Sequence, residues 1–438
     1  MKAWHHDTTA NKVSVLLLGL FAGSLPFDRF YSQLLLIALV AHTAIQLSAQ
    51  RLRQLPWRWL LSISVPWLLT VLFTAGSRYT TEAFPFWERQ LALFLFPLCV
   101  LLTAVDLHRY RRLLLHLFLL VNAVVALYLY SDALRTILYH RQPMAMLWTA
   151  AYLSHNFSAP LDIHATYVSL FFALSITAAL FELLTGPRSI GRSFLLVLAT
   201  ALLGAALLQL ASRAVLIAQL LIGGTLLPFA IADRRKRVAW WLFAGLAAAA
   251  CFALLYFRAH ELYERLVTEL GTDLGTERGA GLVADPRGSR WRLAWALCRE
   301  APVLGHGSGS EVLLLRDAYF RNGLYDSYLH ALNAHNQYLS LLIRHGCAGL
   351  LCWMLALGYF AQIAIRRHDV LLGAFLLLIA GTSLSENILD VNKGIFFYAC
   401  FLTLLGARDK NPGPSGPRSN PGSTLFVRIG KARKPARP

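Results

Sequence analysis

Residues 194–237 read FLLVLATALLGAALLQLASRAVLIAQLLIGGTLLPFAIADRRKR. The two apolar runs, 194–210 and 214–231, are each close to the roughly 20 residues that carry a helix across a bilayer. Only Ala211, Ser212 and Arg213 part them. They are rich in Leu and Ala and lack the period of two expected of a barrel strand. The stretch therefore reads as a helical hairpin through a membrane. Arg213 stands at one face, and Arg234, Arg235, Lys236 and Arg237 stand at the other.

Comparable runs occupy residues 13–25, 30–49, 59–75, 90–105, 113–130, 164–184, 238–257, 346–365, 370–384 and 395–405. The expected fold is all-α, a polytopic membrane protein with about 12 transmembrane helices. Composition agrees: 57% of the 438 residues are hydrophobic and 15% charged, where a soluble domain carries about a quarter charged. Lys2 and Lys12 ahead of the first run imitate a signal peptide. A second run follows almost at once, so an uncleaved first helix is the expectation.

A net charge of +18 would point to nucleic acid in a soluble protein. Here the basic residues follow runs two, four, six, eight and ten, as Arg51, Arg53 and Arg58, then Arg109, Arg111 and Arg112, and so on to Arg366 and Arg367. Alternation of this kind is a topology signal, and no nucleic-acid partner is expected. Both termini then lie in the cytoplasm. The one long polar loop, residues 258–334, lies outside, as do Ser212, Arg213 and the segment around Glu386 and Asn387. The chain divides into nine spans in 1–257, the loop at 258–334, a short helix with three spans in 335–407, and a basic disordered tail at 408–438.

Arg213 admits two readings: a snorkelling interface arginine, or a border charge that binds an anion. Within the loop, Ser289 is expected to cap a helix that carries Arg290. The run Gly305-His306-Gly307-Ser308-Gly309 either brings backbone amides close to a phosphate or sugar, or is a flexible turn. If Asn333 caps the next helix, His335 falls in its first turn, where the helix N-terminus favours a neutral imidazole. A histidine with purely structural hydrogen bonds is the alternative. There is no HExxH, P-loop or GxSxG pattern, and carboxylates are sparse. No metal or cofactor is expected. The six cysteines show no paired spacing.

In order, these segments resemble the O-antigen ligase family: Ser212-Arg213-Ala214 after an apolar span, Arg290 opening a loop helix, Pro302-Val303-Leu304-Gly305-His306-Gly307, and His335-Asn336-Gln337-Tyr338-Leu339 followed by Gly346 and Gly349. The resemblance implies a GT-C-like enzyme of the Gram-negative inner membrane with a periplasmic active site. Such an enzyme transfers a glycan from undecaprenyl diphosphate to a sugar hydroxyl of lipid A–core, with inversion and without metal, amid membrane lipid. On that reading Arg213 and Arg290 bind the donor diphosphate and His335 is the catalytic base. Asn336, Ser212 and His306 bind substrate or orient the base, and Glu311, Asp317, Asp326 and Glu386 stand in reserve as bases. An O-antigen or exopolysaccharide polymerase, a protein O-oligosaccharyltransferase and an anion transporter are the alternatives.

Overall fold

The computed structural model describes residues 7–187, 189–275 and 285–407. Arg188, residues 276–284 of the large loop and the tail from residue 408, all used in the sequence reading, lie outside the described residues. Among those described, the chain is all helical. Eight helices are long and apolar enough to cross a membrane: α3 (Trp57–Thr74), α4 (Thr80–Leu102), α5 (Leu107–Tyr139), α6 (Ala165–Thr185), α7 (Ile190–Gln209), α8 (Arg213–Ala230), α9 (Arg234–Arg258) and α12 (Gln337–Arg367). Four shorter apolar helices join them: α1 (Thr9–Ser24), α2 (Arg29–Ile45), α13 (Val370–Thr382) and α14 (Asn392–Gly406). Each expected apolar run falls on one of these helices.

The surface argues for lipid. Leu16, Ile37, Leu72, Leu120, Leu198 and Leu246 each expose more than half their area, on a scale water-soluble proteins do not tolerate. The centre is the opposite. α14 is buried along its whole length, and Phe171, Phe375, Phe397 and Phe401 of α6, α13 and α14 pack ring to ring at 5.1–5.5 Å. The fifth run is longer than its apolar part. α5 continues through Ser131 to Tyr139 for 33 residues, about 50 Å, because helix propagation needs no further apolar residues once it is under way. It therefore overshoots a hydrocarbon core of about 30 Å.

The long loop is folded. Its described part holds short helical segments at His260–Tyr263, Glu264–Thr268 and Glu269–Leu274, then α10 (Arg287–Glu300), α11 (Ser310–Arg321) and a turn of helix at Tyr325–Leu329. Ala294, Leu297 and Cys298 of α10, Leu315 and Tyr319 of α11 and Ile343 of α12 form a separate apolar cluster. Pro286, not Ser289, precedes the first helical residue of α10. Proline fits that boundary because it offers no amide to satisfy, and Ser289 falls in the first turn.

α12 breaks at Gly346, where φ is 61° and ψ is −166°. In an unbroken helix the amides of Cys347 and Ala348 would donate to the carbonyls of Ile343 and Arg344. Here Cys347 N–H donates to the Pro302 carbonyl at 2.8 Å and Ala348 N–H to that of Val303 at 3.1 Å. The freed carbonyls of Ile343 and Arg344 accept from the His306 and Gly307 amides at 2.8 and 2.9 Å. The segment 302–307 thus replaces the missing helical bonds pair for pair. A Cβ at Gly305 would sit 2.6 Å from the backbone of Arg344, His345 and Gly346, and one at Gly346 would sit 2.3 Å from the Val303 carbonyl oxygen. The glycines are therefore neither an anion cradle nor a flexible turn; they permit close approach to the chain's own helix.

Candidate functional site

One end of the bundle gathers the arginines. Gln209, the last residue of α7, donates through Nε2 to the carbonyls of Leu147 and Tyr152, and its own carbonyl accepts from Ser154 N–H at 2.9 Å. This ties residues 147–155 beside the α7–α8 turn. Leu153, Ala211, Ala259 and Leu262 close an apolar cluster beneath them, which seats the 260–274 segment against the same turn. Arg213, first in α8, then reaches that segment. Its Nε donates to the Arg265 carbonyl at 2.8 Å; Nη2 lies 3.1 Å from Glu269 Oε2 and Nη1 3.4 Å from Asp273 Oδ2. Asp273 also meets Arg287 Nε at 3.5 Å.

Arg290 differs from Arg213. It is 6% exposed, and its Nε and Nη1 find no hydrogen-bond partner. Burial pushes its guanidinium down from the usual arginine range; the charges around it are those of Arg287, Asp273 and Asp285, with Tyr319 alongside. A buried guanidinium with two idle donors is costly in a protein at rest. Such an arrangement suits an anion with planar oxygen pairs. Arg213 and Arg290 therefore share one electrostatic neighbourhood, centred on Asp273 and Arg287.

His335 lies just outside α12. Asn336 is the N-cap, its side-chain oxygen accepting from Tyr338 N–H and Leu339 N–H at 3.0 and 3.1 Å. Asn333 instead accepts the His335 amide at 3.0 Å, a local turn rather than a helix cap. The cap thus sits three residues later than expected, and His335 takes a left-handed φ of 47°. A non-glycine residue there stores about 1 kcal/mol or more of strain. His335 Nδ1 lies 3.5 Å from Glu386 Oε2, and the other oxygen of Glu386 lies 3.8 Å from His164 Nε2. The His164 ring meets the His155 ring edge-on at 4.1 Å between centroids.

The frame around this pair is a buried polar network. Arg344 of α12 binds Asp390 through Nη1 and Nη2 at 3.0 and 3.2 Å and approaches Glu311 at 3.3 Å. Glu311 also accepts from Ser340 Oγ at 2.6 Å and from Ala334 N–H at 3.1 Å. Asn387 donates to Ser340 Oγ at 2.7 Å and to Asp390 at 3.0 Å. These bonds hold residues 334–336 and 386–390 side by side. With its oxygens so engaged, Glu311 is a structural carboxylate.

Of the residues singled out in the sequence, Arg213, Arg290 and His335 lie on the same end of the bundle. Asn336 is spent on its helix. His306 approaches the Leu297 carbonyl through Nε2 at 3.0 Å and belongs to the ribbon on α12. Ser212 precedes α8 and makes no side-chain capping bond. Asp317 pairs with Arg321 on an exposed face, and the half-buried Asp326 pairs with His330. His155, His164, Arg265 and Arg287 escaped the sequence reading. The two histidines had a signal, in that His155 sits in the polar stretch before the sixth apolar run and His164 opens that run, on the face of Arg213.

Electrostatics link the two halves. Low-polarity surroundings, reinforced by His164 and Arg265, push His155 down to about 4, and Glu386 only partly opposes this. Low-polarity surroundings also lower His164. Burial raises Glu386, but the contact with His335 and the charges of His164, His335 and Arg287 outweigh it and hold the carboxyl below its ordinary range. Among the described residues no three of His, Cys, Asp and Glu are grouped as metal ligands.

A search of curated proteins returns no match. The family model described as O-antigen ligase matches residues 198–354, roughly a third of the chain. That segment includes Arg213, Arg290, His335 and the ribbon on α12; it ends before Glu386 and begins after His155 and His164. Over residues 198–354, where the motifs of the sequence lie, this chain is similar to the O-antigen ligase family.

Proposed function

We propose that the protein transfers a glycan from undecaprenyl diphosphate to a sugar hydroxyl of lipid A–core at the periplasmic face of the inner membrane, with inversion and without metal. All twelve apolar helices cross the bilayer on this reading, with both termini in the cytoplasm. The observation that carries it is the buried Arg290 guanidinium, two of whose nitrogens find no partner, in the electrostatic neighbourhood it shares with Arg213, at the end of the bundle that also presents His335.

The acceptor oxygen attacks the anomeric carbon from the face opposite the diphosphate. The bond from that carbon to the diphosphate oxygen breaks, and the acceptor proton passes to His335. Negative charge grows on the departing diphosphate, where arginine forks are the strongest neutralising donors available. Arg290 has donors ready. Arg213 does not, because Glu269 and Asp273 already hold its guanidinium. The donor diphosphate takes the place of those carboxylates, so binding exchanges one anion for another.

The test is reconstitution of purified protein with both lipid substrates in the presence of a chelator, followed by analysis of the product. Ligated lipid A–core supports the reading. Growth of the lipid-linked glycan itself identifies a polymerase, and glycan on protein identifies an oligosaccharyltransferase. Movement of anions without glycan transfer identifies a carrier. His335→Ala should lose about 10²–10⁴ in single-turnover transfer while still binding donor.

A further inference from the structure

Glu386 lies outside the matched family segment and had no role beyond that of a reserve base. It is 6% exposed. A buried carboxylate needs compensation, and its nearest cationic or donor groups are His335 at 3.5 Å and His164 at 3.8 Å.

His164 helps to fix what each imidazole presents. Its Nδ1 accepts the Thr166 amide at 3.3 Å as the N-cap of α6. That nitrogen therefore carries no proton, and the neutral ring is protonated on Nε2, the atom facing Glu386. His335 faces the other carboxylate oxygen through Nδ1. A proton on Nδ1, attracted by that oxygen, leaves Nε2 with a free lone pair.

The approach of the two groups is built into the backbone. Gln337 N–H donates to the Ser383 carbonyl at 2.9 Å, and Leu389 N–H donates to Gln337 Oε1 at 2.9 Å. Tyr338 O–H donates to the Ala380 carbonyl at 2.8 Å. The left-handed φ of His335 lies two residues before the first of these fastenings, and such strain persists only where the surrounding structure holds it.

We propose that Glu386 is the positioning residue of the catalytic base: it holds His335 Nδ1–H, reserves Nε2 for the acceptor hydroxyl, and stabilises the imidazolium formed when that hydroxyl is deprotonated, while His164 steadies its second oxygen. This rests on the assignment of His335 as base. The proton travels from the acceptor hydroxyl to His335 Nε2 and goes no further in the step; Glu386 stays ionised. The groups facing Glu386 are His335 ahead of α12, His164 ahead of α6, His155 on its short helix, Arg287 on α10 and Tyr167 on α6. Low-polarity surroundings hold His155 and His164 below the ordinary histidine range, so neither competes as a cation for the carboxylate that faces His335.

The experiment compares the parent, Glu386→Gln, Glu386→Asp and His335→Ala as full-length protein. It measures donor binding, single-turnover transfer and the pH profile of transfer. Glu386→Gln should retain donor binding and lose about 10- to 1000-fold in transfer. Its acid limb should move down by about one pH unit, because an opposite charge no longer favours the imidazolium. Glu386→Asp should recover part of the rate and most of the profile. If Glu386→Gln matches the parent in rate and profile while His335→Ala is inactive, the positioning role is wrong and the base stands. If His335→Ala transfers within a few fold of the parent, the base assignment fails and Glu386 has nothing to position. Loss of donor binding in both Glu386 variants makes the residue architectural and also overturns the proposal.

Discussion

Replacing Arg290 by Met should make the empty protein more stable and the enzyme inactive. The side chain is 6% exposed, and two of its three guanidinium nitrogens donate to nothing. Each unsatisfied buried donor costs about 1–3 kcal/mol, and an unpaired buried charge adds to that. Methionine keeps most of the apolar stem and removes the polar head, so a net gain of about 2 kcal/mol is expected once lost packing is deducted. Unfolding entropy of about 2.1 cal/mol/K per residue gives roughly 0.9 kcal/mol/K for 438 residues. The melting midpoint should therefore rise by about 2 °C. Donor lipid at about a hundredfold its Kd adds about 2.7 kcal/mol to the parent, or about 3 °C, and little to the variant. Thermal melts of detergent-purified protein, with and without donor, should show the order of the two proteins invert. The reasoning is refuted if Arg290→Met melts below the parent without donor, or if donor stabilises both equally.

Arg213→Gln should lower transfer about ten- to a hundredfold, with Lys rescuing only in part because it lacks the planar fork; Glu269→Gln should instead tighten donor binding severalfold, since it removes a competing carboxylate, and a titration of donor checks both. Gly346→Ala should cost about 3 kcal/mol or more, from a φ that alanine resists and a Cβ 2.3 Å from the Val303 oxygen, read as a drop in the melting midpoint. A cysteine placed at Gly279 should be labelled in intact cells without permeabilising the inner membrane; labelling only after permeabilisation reverses the orientation. His155, held down at about 4, and His164, also lowered, bind protons more readily unfolded than folded. Their contribution is intact above about pH 6.5 and is lost as pH falls toward 4. Melts in that window should show acid destabilisation that His155→Gln reduces.

The helices were legible because each is a run of apolar residues whose length alone matches a bilayer. α5 was shortened in the reading because Ser131 to Tyr139 are polar enough to resemble a loop, and helix continuation leaves no mark in hydropathy. Arg213 stood out by interrupting two apolar runs, whereas Arg290 and His335 stood out by their place in the loop helix and at the expected start of the next helix. The rest of the site consists of contacts between distant residues. Arg344 and Asp390 are 46 positions apart, and His164 and Glu386 are joined only through folding. Nor could the glycines disclose their partner, since a φ above zero is equally fit for a ligand or for the chain's own helix.

The ribbon that completes the broken helix has a mechanical consequence. Residues 302–307 and α12 share main-chain bonds in the number an intact helix would hold, so α10 and α11 move with the membrane helix as one stiff jaw. The opposing jaw, residues 260–274, meets Arg213 through the Arg265 carbonyl and through the carboxylates of Glu269 and Asp273. The carboxylate contacts, unlike the main-chain ribbon, are of a kind another anion can replace. The two sides of the site therefore differ in kind: an anion that displaced Glu269 and Asp273 from Arg213 would leave every main-chain bond of the ribbon on α12 in place.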